Sequence, residues 1–183
     1  MKNRSIFTLA LICLLATLSS CFQTRSNENK ILTDSLIRAT EKIAIGKANF
    51  GISEKEFNLL FPDSLVELDG NKYIVSSYFD SNRELEKVYM IDQATFNNQK
   101  FDGRLFRRLD LIKRHFSNIY GLPKRDKGYP AQEKMLNGKV FESCTWEIGI
   151  KRISVGIALE KTYRGNIYYV LSHIDRKDSA TRN

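Results

Sequence analysis

The most regular pattern of apolar positions lies in the middle of the chain. Leu105, Leu109, Ile112, Phe116 and Ile119 recur at spacings of 4, 3, 4 and 3, which lays one continuous stripe along a helix. The pattern predicts a helix over Leu105–Tyr120. Gly121 falls where a left-handed residue closes a helix, and Pro123 follows. A second helix start is written at Ser53-Glu54-Lys55-Glu56, a Ser with Glu three residues on. In that arrangement each side chain caps the other residue's backbone N–H. Phe57, Leu60 and Phe61 supply its apolar face and Pro62 stops it.

Between and after these helices the period changes to two. Tyr73, Val75 and Ser77 alternate with Ile74, Ser76 and Tyr78, after the turn Asp69-Gly70-Asn71. Asp80-Ser81-Asn82 turns the chain into a strand over Leu85–Ile91. Three more strands follow the long helix. Val140, Cys144, Trp146 and Ile148 are expected to share one face of the first. Ile153, Val155, Ile157 and Leu159 do so in the second, opposite Ser154, Gly156, Ala158 and Glu160. Arg164-Gly165-Asn166 turns into the third, Ile167–Ile174. Residues 92–103 are expected to be polar loop pinned by Phe96 and Phe101, and Lys124–Lys139 a long charged connection. Ile31–Ile45 is expected to start as a helix whose pattern weakens after Ala39. Strands grouped between helices predict an α+β domain over residues 31–175, an antiparallel sheet with helices packed on one face. The order also suggests two degenerate helix-plus-meander repeats, with a polar tail over 176–183.

The first apolar run has a different meaning. Lys2 and Arg4 precede thirteen uncharged residues, Ile6–Leu18, and Ser19 and Ser20 lead into Cys21. Basic start, short apolar core and small-residue cleavage site predict a secretory signal peptide over residues 1–20. The run is shorter than the about 20 residues of a spanning helix. Leu18-Ser19-Ser20-Cys21 resembles the lipobox of bacterial lipoproteins. That resemblance implies that Cys21 is diacylated on sulfur, becomes the first residue and gains a third acyl chain on its amine. Two or three chains suffice for stable anchoring where one does not. Phe22 follows in place of the Asp that retains such proteins in the inner membrane, so the resemblance implies the outer membrane, and with no acidic cluster of the surface-export kind just behind Cys21 it implies the periplasmic side. Residues 21–30 are then a lipidated tether.

Composition sharpens this picture. Of three cysteines, Cys13 leaves with the leader and Cys21 is acylated, so Cys144 has no partner for a disulfide framework or a thiol cluster. Without residues 1–20 the chain has 27 Lys and Arg against 21 Asp and Glu, a net charge of +6. Residues 100–128 hold nine basic side chains and three acids, so the whole excess is concentrated there. At 100° per residue, Arg104, Arg107, Arg114 and His115 gather on the side of the long helix away from its apolar stripe. A basic face beside a lipid anchor is the two-signal arrangement of membrane-surface proteins. Arg104, Arg107 and Arg114 are therefore the candidate contacts for anionic head groups or an acidic envelope protein. A solvated face that keeps the helix soluble is the alternative. Nucleic acid fits the charge, but the export signal removes it as a partner.

Candidate chemistry is sparse. Neither His115 nor His173 has a carboxylate or Cys144 beside it by local spacing, and no metal-ligand spacing, nucleophile elbow or phosphate-cradling Gly-rich loop occurs. No catalytic, cofactor or metal residue is assigned. The opening Phe50-Gly51-Ile52-Ser53…Glu56-Phe57 resembles the helix start of small envelope lipoproteins that share a fold with the β-lactamase-inhibitor-protein group and the accessory lipoprotein of the barrel-assembly machinery. Ile52 replaces their commoner Met. The resemblance implies a fold and carries no function. Two functions stay open. One is a non-enzymatic envelope lipoprotein, a binding or accessory module. The other is a small envelope hydrolase with a site assembled from distant residues, His173 among them.

Overall fold

The computed structural model describes residues 34–177. The expected leader, Cys21 and its tether lie outside the described residues, as does the chain beyond residue 177. Residues from Thr40 on belong to one compact unit, and 34–39 fall outside it. Residues 34–40 are helical (α1), which is the described part of the helix expected at the front of Ile31–Ile45. The end of that stretch is a strand instead. Ile43–Ile45 (β1) pairs antiparallel with Ala48–Asn49 (β2).

Helix α2 (Glu54–Leu60) starts as the sequence dictates. The Ser53 hydroxyl accepts the Glu56 amide at 3.3 Å, and the Glu56 carboxylate accepts the Ser53 amide at 2.8 Å. Phe57 turns inward against Phe61 and Phe79, with ring centroids at 4.8 and 6.2 Å. Leu60, expected on that apolar face, is 39% exposed. A seven-residue helix makes barely two turns, so its inward face holds only Phe57.

The rest is a seven-stranded antiparallel sheet in the order β3-β4-β5-β9-β8-β7-β6, in which the edge strand β6 (Arg125–Asp126) lies within the expected charged connection and pairs with β7. One half is the meander β3 (Leu65–Leu68), β4 (Asn71–Phe79) and β5 (Leu85–Asp92). The other is β7 (Lys139–Ile148), β8 (Lys151–Thr162) and β9 (Gly165–Arg176). Each meander follows helices, and the two join through β5 and β9, with Ile91 opposite Leu171 and Lys87 opposite Asp175. The chain is thus α+β with two helix-plus-meander halves. The turn into β4 works because Asp69 and Gly70 both take positive φ, 49° and 73°, the geometry that matches strand twist in a two-residue hairpin. Short β3 pairs only with β4 at the sheet edge. Strand β9 runs through Arg176, one residue into the expected tail.

Two further expectations fail. Residues 92–103 are not all loop: Gln93–Asn98 form helix α3, because the Asp92 carboxylate accepts the amides of Ala94 and Thr95 at 2.9 and 3.1 Å. Phe96 and Phe101 do act as pins, Phe96 against Tyr169 and Phe101 against Phe106 and Tyr168. Val140 does not share a face with Cys144, Trp146 and Ile148. A β-bulge between Glu142 and Cys144 inserts a residue and reverses the alternation, leaving Val140 41% exposed. The β8 backbone lies close beneath this bulged strand: a Cβ on Gly156 would stand 2.1 Å from the Phe141 carbonyl oxygen.

Helix α4 (Gly103–Tyr120) packs on β7, β8 and β9. Leu105, Leu109, Ile112 and Phe116 are buried, with Trp146, Ile153, Val155 and Ile157 beneath them. The Phe116 and Trp146 rings lie 5.7 Å apart. Trp146 donates its indole N–H to the Gly121 carbonyl at 3.0 Å, which ties the sheet to the end of α4.

Candidate anion-binding face

The arginines of α4 divide by what holds them. Asp102 caps the helix: its Oδ1 accepts the amides of Arg104 and Leu105, at 2.8 and 3.3 Å, and its Oδ2 accepts the Arg104 guanidinium at 3.1 Å. The Arg104 amide is the main reason the Asp102 carboxyl lies below its usual range. Arg108, four residues on, turns toward the sheet. Its Nε meets Asp92 Oδ2 at 2.8 Å and its Nη1 the Asn71 side-chain carbonyl. Asp92 is fully buried, so Arg108 and the start of α3 together neutralise a carboxylate that would otherwise stand alone in the core. Arg107 is exposed and has no ion-pair partner among the described residues.

These three arginines, with Ala94, Thr95 and Leu111, line an open groove of about 460 Å³ between α3 and α4. Asp92 already fills the amides at the start of α3, so what the groove offers an anion is guanidinium N–H. Arg107 offers all of its donors. Arg104 keeps Nη1, and Arg108 keeps Nη2, its Nη1 being held by Asn71. Fork-shaped guanidiniums suit oxyanions because two parallel N–H groups meet two oxygens.

Of the residues the sequence assigned to this face, Arg104 and Arg107 meet in the groove. Arg114 lies outside its lining, two turns and about 10.5 Å further along the axis, exposed on the same side as Arg107. His115, expected roughly opposite the apolar stripe, is turned in against Phe116, with ring centroids at 5.3 Å. Its Nδ1 meets Asp69 Oδ2 at 2.8 Å. The carboxylate beside it comes from the β3–β4 turn, 46 residues away in sequence, where local spacing has no access to it.

The residues weighed for hydrolysis lie apart. Cys144 is on the helix-facing side of the sheet and His173 on the other, one strand beyond β8. Burial pushes the Cys144 thiol up to about 12, so it is not a thiolate near neutrality. His173 stacks on Tyr89 at 4.5 Å, and its buried Nε2 meets no hydrogen-bond partner. Burial lowers its pKa and raises that of Asp175 two residues on.

Three functional or structural groups escaped the sequence reading. Arg108 was counted only as charge, although its place one turn after Arg104 beside the stripe was visible. Lys151 is fully buried, and its alternation with Ile153 and Val155 was the available signal. Its ammonium donates to the carbonyls of Thr40 and Ile43 at 2.8 and 3.0 Å and to the Tyr120 hydroxyl at 2.8 Å. Burial lowers its pKa to about 8. Ser143 had no signal, because only the bulge brings it inside. Among the described residues no group of His, Cys, Asp and Glu is placed to hold a metal ion, and no helix is long and apolar enough to cross a membrane. Compared with protein-family models, with curated proteins and with solved structures, the chain finds no match in any of the three.

Proposed function

We propose that this protein is a non-enzymatic envelope lipoprotein, lipid-anchored through Cys21 on the periplasmic side of the outer membrane, and that it works as a binding or accessory module. In this reading its contact surface is the basic side of α4, and what that side meets is the anionic head groups of the membrane. The observation that carries this is the groove between α3 and α4, where Arg104, Arg107 and Arg108 turn unspent donors outward. Arg114 extends the same charge along the helix.

The arithmetic of reach and energy fits. Eighteen residues lie between Cys21 and Thr40, a contour of at most about 65 Å. Each engaged basic residue contributes about 1 kcal/mol near an anionic surface, within a Debye length of about 8–10 Å at ordinary ionic strength. Such a contact is weak alone and effective beside an anchor, because the anchor supplies the affinity and the basic face supplies orientation. The hydrolase alternative needs a nucleophile within reach of His173, and no hydrogen bond of this kind supports it.

The test separates anchor from face. Full-length Cys21→Ala, which cannot be acylated, should remain an uncleaved precursor, and normal processing in that variant would overturn the lipoprotein reading. The soluble domain, made without the leader and Cys21, should float with vesicles containing phosphatidylglycerol at low salt, should not float with phosphatidylcholine alone, and should release near physiological ionic strength. Adding Arg104→Gln, Arg107→Gln and Arg114→Gln should abolish flotation and leave the thermal midpoint unchanged. Undiminished flotation would show that these arginines are solvated surface. Absence of flotation in the parent, together with crosslinking to an acidic envelope protein, would replace the lipid by that protein.

A further inference from the structure

On the flank of α4 away from the arginine groove, the helix faces the bulge of β7 across a smaller cavity of about 150 Å³, space for roughly five waters. Asp110 and Lys113 of α4, Asp126, Tyr129, and Ser143 and Cys144 of the bulge contribute polar groups to its wall. In a regular strand two consecutive side chains point to opposite faces. The register shift between Glu142 and Cys144 brings both Ser143 and Cys144 onto this cavity. Ser143 is 2% exposed and its Oγ meets no hydrogen-bond partner. An unmade buried hydrogen bond is destabilising, and bulges are over-represented beside active sites, where they re-aim a side chain.

The hydrogen-bond capacity left over defines the ligand. Asp126 is already paired: its Oδ2 accepts the Lys113 ammonium and its Oδ1 the Gly128 amide at 3.0 Å. Asp110 Oδ2 accepts the Tyr129 hydroxyl at 2.6 Å, and its other oxygen is open. Lys113 keeps two N–H donors, and Ser143 keeps one donor and its acceptor lone pairs. An anionic ligand would stand against Asp110 and Asp126, and a cationic one against Lys113. The neutral group that both donates and accepts is a hydroxyl. Tyr129, half exposed with its ring 4.7 Å from that of Phe106, adds an apolar wall at the rim.

We propose that this cavity binds a neutral polyhydroxylated ligand, the edge of a sugar ring with adjacent hydroxyls, read by Ser143, Lys113 and Asp110 and flanked by Tyr129. Cys144 closes the floor as a neutral thiol and takes no part in a reaction. The site is independent of the arginine face, since the two open on opposite flanks of α4.

Protein-observed NMR on the full chain in detergent micelles tests it, with D-glucose, myo-inositol and N-acetylglucosamine as probes and ethylammonium and acetate as charged controls. A sugar or inositol should shift the amides of Gly128, Tyr129 and Ser143 saturably in the millimolar range. Ser143→Ala should weaken that binding about tenfold, the loss of one hydrogen-bonding group, with a thermal midpoint no lower than the parent's, since the unpaired hydroxyl is gone. Lys113→Met gives a second measure and should weaken it at least as much. No saturable shift with any of the three neutral probes would overturn the proposal and leave a cavity for ordered water only. Tighter binding of either charged control would overturn the ligand class. Equal binding by parent and both variants would overturn the location.

Discussion

The two flanks of α4 carry charge to different ends. On one, Arg104, Arg107 and Arg108 surround a groove of about 460 Å³, and the two carboxylates beside it are already taken, Asp102 by Arg104 and buried Asp92 by Arg108. On the other, Lys113 is matched by Asp126 and Asp110 by Tyr129 around a cavity of about 150 Å³, and the group left without a partner is a neutral hydroxyl, Ser143 Oγ. A count of charges singles out the first flank and passes over the second. A count of unspent hydrogen bonds marks both, and is the basis for the two proposals, an anion at one and a neutral polyol at the other. The difference teaches that ligand class follows from donors and acceptors left unsatisfied at a given depth, and net charge only from how the surplus is distributed.

Removing the shared support should have the largest effect. Trp146→Ala empties the site beneath Phe116 and cuts the tie to Gly121, and should lower stability by about 3–5 kcal/mol in urea unfolding. A loss under about 1 kcal/mol would mean that the sheet does not support α4 through this residue.

The next pair tests whether the arginines differ as their burial says. Arg108→Gln leaves the Asp92 carboxylate buried without its counter-ion and should cost about 3 kcal/mol. Arg107→Gln on the same face should stay within about 0.5 kcal/mol. Equal values would erase the distinction between structural and surface arginines.

Lys151 and Tyr120 latch the end of α4 to the segment Thr40–Ile43, and this latch should depend on pH. The folded Lys151 pKa, about 8, lies below the unfolded 10.5, so between these values the unfolded chain binds more protons and stability rises with pH. Wild type should gain about 2 kcal/mol over Lys151→Met between pH 8 and pH 10, below the range where Tyr73, pushed up to about 12 by burial, contributes its own change. A flat difference would mean that the carbonyls of Thr40 and Ile43 hold the ammonium charged throughout.

The smallest expected effect is none at all. Cys144 is buried with a pKa near 12, so native protein should resist a thiol reagent at neutral pH, and labelling should appear only on unfolding. Fast native labelling would place the thiol in an open pocket and reopen a catalytic role for that flank.

How much of this was legible depends on the range of the interaction. Helix α4 was, because Leu105, Leu109, Ile112 and Phe116 repeat with the helical period. So were the cap at Ser53 and Glu56 and the turn at Asp69-Gly70, which are written within four residues. Helix α3 was missed although Asp92 caps it, because six residues are too few for a period. Strand β3 was missed because its four residues at the sheet edge show no alternation. By itself, then, the sequence determined the α+β class, the long helix and the basic side that Arg104, Arg107 and Arg114 share, since these depend on neighbours a few positions apart. Only the tertiary structure decided that Asp92 meets Arg108, that Asp69 meets His115, that Cys144 and His173 lie on opposite faces, and that a bulge turns Val140 out and Ser143 in. Those outcomes depend on strand register and on contacts between distant segments, and a one-residue shift in register sends a side chain to the other face of the sheet.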